Sequence, residues 1–206
     1  MPKLKGVFCV EGEWDRDLTK RRSVLPTLDM LERLGSLKHI HKSAVTPEQL
    51  KYFLEQWSSQ RYSSYEVGFF ALHGAPSQMW LSNSHFTSID EVAGWMSGRW
   101  QGKRIYIGGC SVLRGSDTYL TDFLYETGAS MMCGFTKQVD WIESAAFETV
   151  ILDRLVNSGK VNSVEQLASS ARWAPLANHL GFRVVYASGH SVKIPSMRAA
   201  DSAAPV

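Results

Sequence analysis

Short apolar runs alternate with amphipathic stretches along this chain, and that alternation admits few architectures. Gly6-Val7-Phe8-Cys9-Val10 is apolar throughout and closes on Glu11-Gly12, as a strand buried on both faces does. Val67 to Leu72, Arg104 to Gly108, Ala129 to Cys133 and Phe182 to Tyr186 repeat the pattern, with a weaker strand over Leu37 to Ala44. Helix signals fill the intervals. Leu25, Leu28, Leu31 and Leu34 fall at helical spacing and stop at Gly35. Thr46-Pro47-Glu48-Gln49 and Ser88-Ile89-Asp90-Glu91 read as capping boxes, and Ser163-Val164-Glu165-Gln166 caps a further helix. A helix spans about Ser116 to Glu126, and a long one runs from Asp140, a favoured N-cap, to Val156. Met79-Trp80-Leu81 and Phe86 suggest a hairpin. Strand–helix repetition of this kind predicts an α/β three-layer sandwich, a mostly parallel central sheet with helices on both faces. With no internal repeat or linker, residues 1–191 read as one domain and residues 192–206 as a flexible tail.

Composition removes several functions. Lys and Arg total 22 against 20 acidic residues in 206, a net charge of +2 that points to neither nucleic acid nor an anionic membrane as partner. No apolar run approaches the roughly 18 residues of a membrane span, and the first residues lack the core of a signal peptide. Three cysteines, at 9, 110 and 133, are odd in number and widely spaced, which excludes a disulfide framework and suits a reduced, cytoplasmic protein. His39 and His41 share a strand face but have no third ligand near them, so no metal is expected, and no cofactor.

In parallel sheets, ligands bind beyond the carboxyl ends of the strands. Strand one ends in Glu11, the Val67 strand in His73-Gly74, and the Arg104 strand in Gly109-Cys110. A histidine and a cysteine therefore leave the same rim, each beside glycine, where backbone approaches a substrate closely. A thiol is only a few per cent thiolate at neutral pH, so a cysteine nucleophile needs such an imidazole as ion-pair partner or base. The N–H groups of Gly74 and Cys110 are then placed to face a developing oxyanion. Cys9 and Cys133 lie inside apolar strands and read as inert core. Other cysteine chemistries fail on spacing. Arg114 follows Cys110 too closely for a tyrosine-phosphatase loop, and Val112 stands where a nucleophile elbow has glycine.

Phe69-Phe70-Ala71-Leu72-His73-Gly74 and Ile105-Tyr106-Ile107-Gly108-Gly109-Cys110-Ser111 resemble the corresponding segments of the caspase-like peptidases, a group that includes caspases, metacaspases and CHAT-domain proteases. The resemblance implies a cysteine endopeptidase with His73 as base, Cys110 as nucleophile, Gly74 and Cys110 as oxyanion-hole donors, and a protein or peptide substrate. It also implies a specificity pocket built from the loop after strand one, the residues before the cysteine, and the end of the fifth strand. Gly108-Gly109 replaces the caspase Gln-Ala, and the pocket segments here carry Glu11, Glu13, Asp15, Asp140 and Glu143. Glu11, Gly109 and Asp140 are the expected pocket residues, and acids there favour Arg or Lys before the cut. Trp14 and Trp80 are candidates to wall a substrate groove. Only Ser111 to Gly115 separate Cys110 from the next helix, too little for a cleavable linker, which leaves control to gene expression, a ligand or a regulatory protein partner. Two other readings stay open: a catalytically inactive relative serving as an interaction module, and a flavodoxin-like binding domain. Glu11-Gly12-Glu13 would repel the phosphate that the second requires.

Overall fold

Each of the five long apolar runs is a strand, and amphipathic segments between them form the covering helices. The computed structural model describes residues 5–194. The chain runs through β1 (Gly6–Glu11), α1 (Leu25–Arg33), β2 (Lys38–Ser43), α2 (Pro47–Trp57) and β3 (Val67–Ala71). A small antiparallel sheet follows, β4 (His73–Ala75), β5 (Gln78–Trp80) and β6 (Phe86–Ser88), leading to α3 (Ile89–Trp95), β7 (Arg104–Ile107), α4 (Asp117–Thr127) and β8 (Met131–Phe135). The last part comprises α5 (Trp141–Asn157), α6 (Ser163–Ala168), α7 (Ala174–His179), β9 (Phe182–Tyr186) and β10 (Ser191–Lys193). The seven-stranded main sheet has the order β10-β9-β8-β7-β3-β1-β2. Pairing is parallel from β2 to β8 and antiparallel at β9 and β10. This is the mostly parallel caspase-like α/β sandwich.

Alternation along the strands divides the core. Val7, Cys9, Phe69, Tyr106 and Cys133 pack with α1, α5, α6 and α7. Phe8, Val10, Phe70, Ile105, Ile107 and Met132 pack with α2, α3 and α4 on the opposite face. Apolar burial on both faces is what makes these strands read as continuous apolar runs.

Several local expectations are corrected. Gly128, at φ +81°, ends α4 in the left-handed conformation; that exit takes up Ala129 and Ser130, so β8 starts at Met131. Ser163 does not cap α6: it lies buried in the first turn, and Asn162 holds the cap position without a side-chain bond. At Thr46 only half of the box forms, because the Gln49 side chain accepts from Val45 N–H instead. The Ser88–Glu91 box forms in full. Residues 192–194 are not loose. Lys193 and Val192 pair with Arg183 and Val184, and the Ile194 carbonyl accepts from Asn178 at 2.9 Å. The remainder of the expected tail, 195–206, lies outside the described residues.

Candidate active site

The strand register brings the two candidate catalytic segments together. Phe70 of β3 lies opposite Ile107 of β7, and the Gly108 N–H extends the ladder to the Phe70 carbonyl at 2.9 Å. The His73 and Cys110 segments therefore leave the sheet side by side. A Cβ on Gly74 would stand 2.5 Å from the Cys110 carbonyl oxygen and 2.3 Å from Val112 Cγ2. Only glycine allows this junction. The Ser77 N–H adds a bond to the Val112 carbonyl at 3.3 Å, tying the β4–β5 turn to the chain after Cys110. Ser111 adopts φ +61° while its N–H donates to the Lys137 carbonyl at 3.0 Å. Such a conformation costs a non-glycine residue on the order of 1–2 kcal/mol, and it turns the chain sharply after Cys110. Among the described residues, no backbone hydrogen bond takes up the Cys110 N–H. Exposed His73 and half-buried Cys110 line one cavity of about 300 Å³, with Trp14, Asp140, Trp141 and Glu148.

His73 is held from behind by the loop after β1. Its Nε2 lies 2.9 Å from the Trp14 carbonyl. A carbonyl only accepts, so Nε2 carries the proton and Nδ1 is the basic atom of the neutral ring. The Trp14 indole packs edge-on against the imidazole at 5.1 Å and against Trp141 at 4.7 Å. Trp14 is anchored in turn by Glu11. That carboxylate accepts from Trp14 Nε1 at 2.5 Å, Ser23 Oγ at 2.7 Å and Val24 N–H at 2.8 Å, and meets His41 Nε2 at 2.5 Å. Burial pushes the Glu11 carboxyl up, but hydrogen bonds from His41, Trp14, Ser23 and Val24 outweigh it and hold the group below its ordinary value.

The acidic pocket residues separate by environment. Glu11 does not line the cavity, because four donors consume its oxygens. Gly109 is also absent from the wall: it is wedged between Val112 and Leu72, and Gly108 lines the cavity instead. Asp140 does line it, while its Oδ1 caps α5 through the Ile142 and Glu143 N–H groups at 2.8 and 3.1 Å. Glu143 faces His179 at 3.1 Å on the exposed surface, and Asp15 faces Arg22, itself a cavity residue, at 3.7 Å. Trp80 packs at a tilt against Phe86 outside this wall.

The sequence reading missed Glu148. It is 6% exposed, lies against Gly108 and accepts a hydrogen bond from Tyr106 at 2.9 Å. Burial raises its carboxyl to about 7 against a smaller opposing pull from the Tyr106 hydroxyl. One signal was available: Ser144, Glu148, Ile151 and Leu155 recur at core spacing along α5, and all are buried.

The other candidate ligands are committed elsewhere. Burial drives the Cys9 and Cys133 thiols far up, which suits inert core residues. His39 lies 2.6 Å from Glu32, and His41 belongs to the Glu11 cluster. Among the described residues, no group of three His, Cys, Asp or Glu side chains converges as a metal site. No helix there is long and apolar enough to cross a membrane.

The model of a family of unknown function, DUF6642, matches residues 5–186. No curated protein matches the chain. Among solved structures, the chain is similar to iotapain, a secreted C11 cysteine protease from Bacteroides thetaiotaomicron, with a TM-score of 0.60 and 14% identity. The likeness covers 91% of this chain and 68% of that one. At this identity it shows the shared fold.

Proposed function

The chain belongs to DUF6642, a family of unknown function, so its activity has to be read from the site, and we propose that it is a cysteine endopeptidase with Cys110 as nucleophile and His73 as acid and base. The observation that carries this reading is the glycine junction that sets both side chains in one cavity with the imidazole Nε2 bound to a backbone carbonyl. A fold shared with a protein described as a cysteine protease supports it. His73 Nδ1 takes the thiol proton as Cys110 Sγ bonds to the scissile carbonyl carbon. The Gly74 and Cys110 N–H groups receive the oxyanion, each worth on the order of 10²–10³ in rate. Collapse breaks the C–N bond, and the amine leaves with the proton from His73. Water, deprotonated by the same imidazole, then cleaves the thioester and restores the thiol.

Asp140 and Glu148 give the cavity its preference for Arg or Lys before the cut. A bound cation would favour the ionised form of Glu148, whose carboxyl burial raises to about 7. The substrate is a protein or peptide. Only residues 111–116 lie between Cys110 and α4, so we assign control to a regulatory partner, a ligand or expression rather than to cutting of a linker. Peptides with Arg, Lys, Asp or Leu before the cut test the reading. Cleavage after Arg and Lys is expected, lost in Cys110→Ala and reduced about 10²–10⁴-fold in His73→Ala. Iodoacetamide should label Cys110 ahead of Cys9 and Cys133. Preferential cutting after Asp would refute the pocket; no cutting and no selective labelling would leave an inactive relative.

A further inference from the structure

A second depression opens one residue past Cys110. Its lining holds four cationic side chains, Arg114, Lys137, Arg183 and Lys193, beside Ser111 and Thr136, and contains no acid. In a chain whose 22 basic and 20 acidic residues nearly cancel, four like charges around one basin are a local excess that focuses positive potential there. Arg183 is 1% exposed. Its Nη1 donates to the carbonyls of Leu113 and Gly115 at 2.8 and 2.7 Å, its Nε to Ser191 Oγ at 3.1 Å, and its Nη2 to the Asp117 carboxylate. The buried guanidinium thus pins the loop after Cys110 and lends its charge to the basin. Asp117 is held below its ordinary value by hydrogen bonds from Ser191 and Arg183; it offsets one charge of the four. Lys137 reaches the neutral Asn178 carbonyl at 3.2 Å. No salt bridge among the described residues takes up Arg114, Lys137 or Lys193.

We propose that this basin binds carboxylate side chains of the substrate, so that the protein cuts after a basic residue in segments carrying acidic residues within a few positions of the cut. The proposal rests on the peptidase reading of the neighbouring site. Its second support is a shared wall. The connection from β8 to α5 borders the basin with Thr136, Lys137 and Gln138, and the His73–Cys110 cavity with Val139, Asp140 and Trp141. A peptide lying along this connection meets acids at one end and cations at the other. Opposite charge then fixes register. A peptide slipped along the wall sets its base against Arg114 and Lys137, or its acid against Glu148, and both encounters are repulsive. An isolated small anion fits the same chemistry but gains nothing from the adjoining acidic cavity.

The test scans Asp, with Asn as neutral isostere, through the positions flanking a single Arg in a labelled peptide. Binding is measured to the full chain carrying Cys110→Ala, and cleavage by the chain with Cys110 intact. At one or two positions Asp should improve both binding and kcat/KM about tenfold over Asn, an advantage that fades with salt. It should shrink to within about twofold when Arg114→Gln and Lys137→Gln are combined. Equal binding of the Asp and Asn peptides at every position, or an advantage untouched by the double variant, would overturn the proposal. So would inorganic phosphate binding this basin with no gain from any Asp peptide, which reassigns it to a free anion. If no peptide is cut, the peptidase reading fails by itself, and the binding comparison still decides the basin.

Discussion

Two glutamates at the same rim of the sheet, both nearly removed from solvent, live in opposite surroundings. Glu11 is met by four side-chain or backbone partners from residues 14, 23, 24 and 41. Glu148 has the single hydroxyl of Tyr106. The first is held ionised below its ordinary value of 4.5, and the second is raised to about 7. Burial acts on both in the same direction, so the number of donors decides the outcome. A carboxylate saturated with donors is architecture, here the anchor of the loop that holds His73. A carboxylate kept short of donors beside a cavity has capacity left for a ligand.

The sharpest way to break this contrast is Glu11→Gln. The amide cannot satisfy four donors, and one of its own N–H groups would face them. A loss of about 2–4 kcal/mol is expected in denaturant unfolding, with the proposed peptidase activity falling at least about tenfold as the Trp14 carbonyl drifts from His73. A carboxyl lowered on folding releases its proton earlier in the native state than in the unfolded one. Its contribution is therefore present above pH 4.5, the ordinary value, and is lost as pH falls through the native value. The variant should lack that part of the acid-side loss. Wild-type-like stability at pH 7 would show that the neighbouring donors find other acceptors.

Glu148→Gln should behave in the opposite sense. Between pH 4.5 and about 7 the folded protein binds more protons at this site than the unfolded chain does, so stability falls as pH rises through that window. The amide removes this slope, and the variant should be as stable as wild type at pH 5 and more stable at pH 8, by at most a few kcal/mol. The cost falls on selectivity. The ratio of kcat/KM for Arg over Leu peptides should drop about 10–100-fold, and its rise with pH between 6 and 8 should disappear; a ratio cancels any pH effect common to both peptides. An unchanged ratio would remove Glu148 from the proposed specificity pocket and leave Asp140 alone there.

These two acids also mark what was legible in the sequence. The five buried strands were readable because burial on both faces writes itself as uninterrupted apolar residues. His73 and Cys110 stood out because each ends such a run beside glycine. Glu11 was visible as a strand-end acid, but its role was misjudged, since its partners come from three segments that only the fold assembles. Glu148 hid inside a long helix, where an acid looks solvated unless the buried face is traced through Ser144, Ile151 and Leu155. Arg183 was equally obscure. A cation within Phe182–Tyr186 looks like an interruption of a strand, and its purpose depends on carbonyls some 70 residues away in sequence. Short terminal elements such as β10 are too brief to carry a periodicity.

The smallest expected effect separates the two halves of the Glu11 anchor. Trp14→Phe removes the indole N–H that donates to Glu11 but keeps an aromatic ring against His73 and the backbone carbonyl that accepts from it. Three partners still hold the carboxylate, so the loss should be about 1.5–3 kcal/mol, the worth of one hydrogen bond to a charged group. Activity should fall less than about tenfold, because the bond that fixes the His73 tautomer is a backbone bond. In thermal unfolding and peptide hydrolysis the variant therefore lies between wild type and Glu11→Gln. If it matches Glu11→Gln in both, the indole alone fastens the loop, and Ser23, Val24 and His41 merely shield the charge. If it matches wild type in both, the aromatic packing of Trp14 between His73 and Trp141 suffices, and the Glu11 carboxylate steadies α1 rather than the active rim.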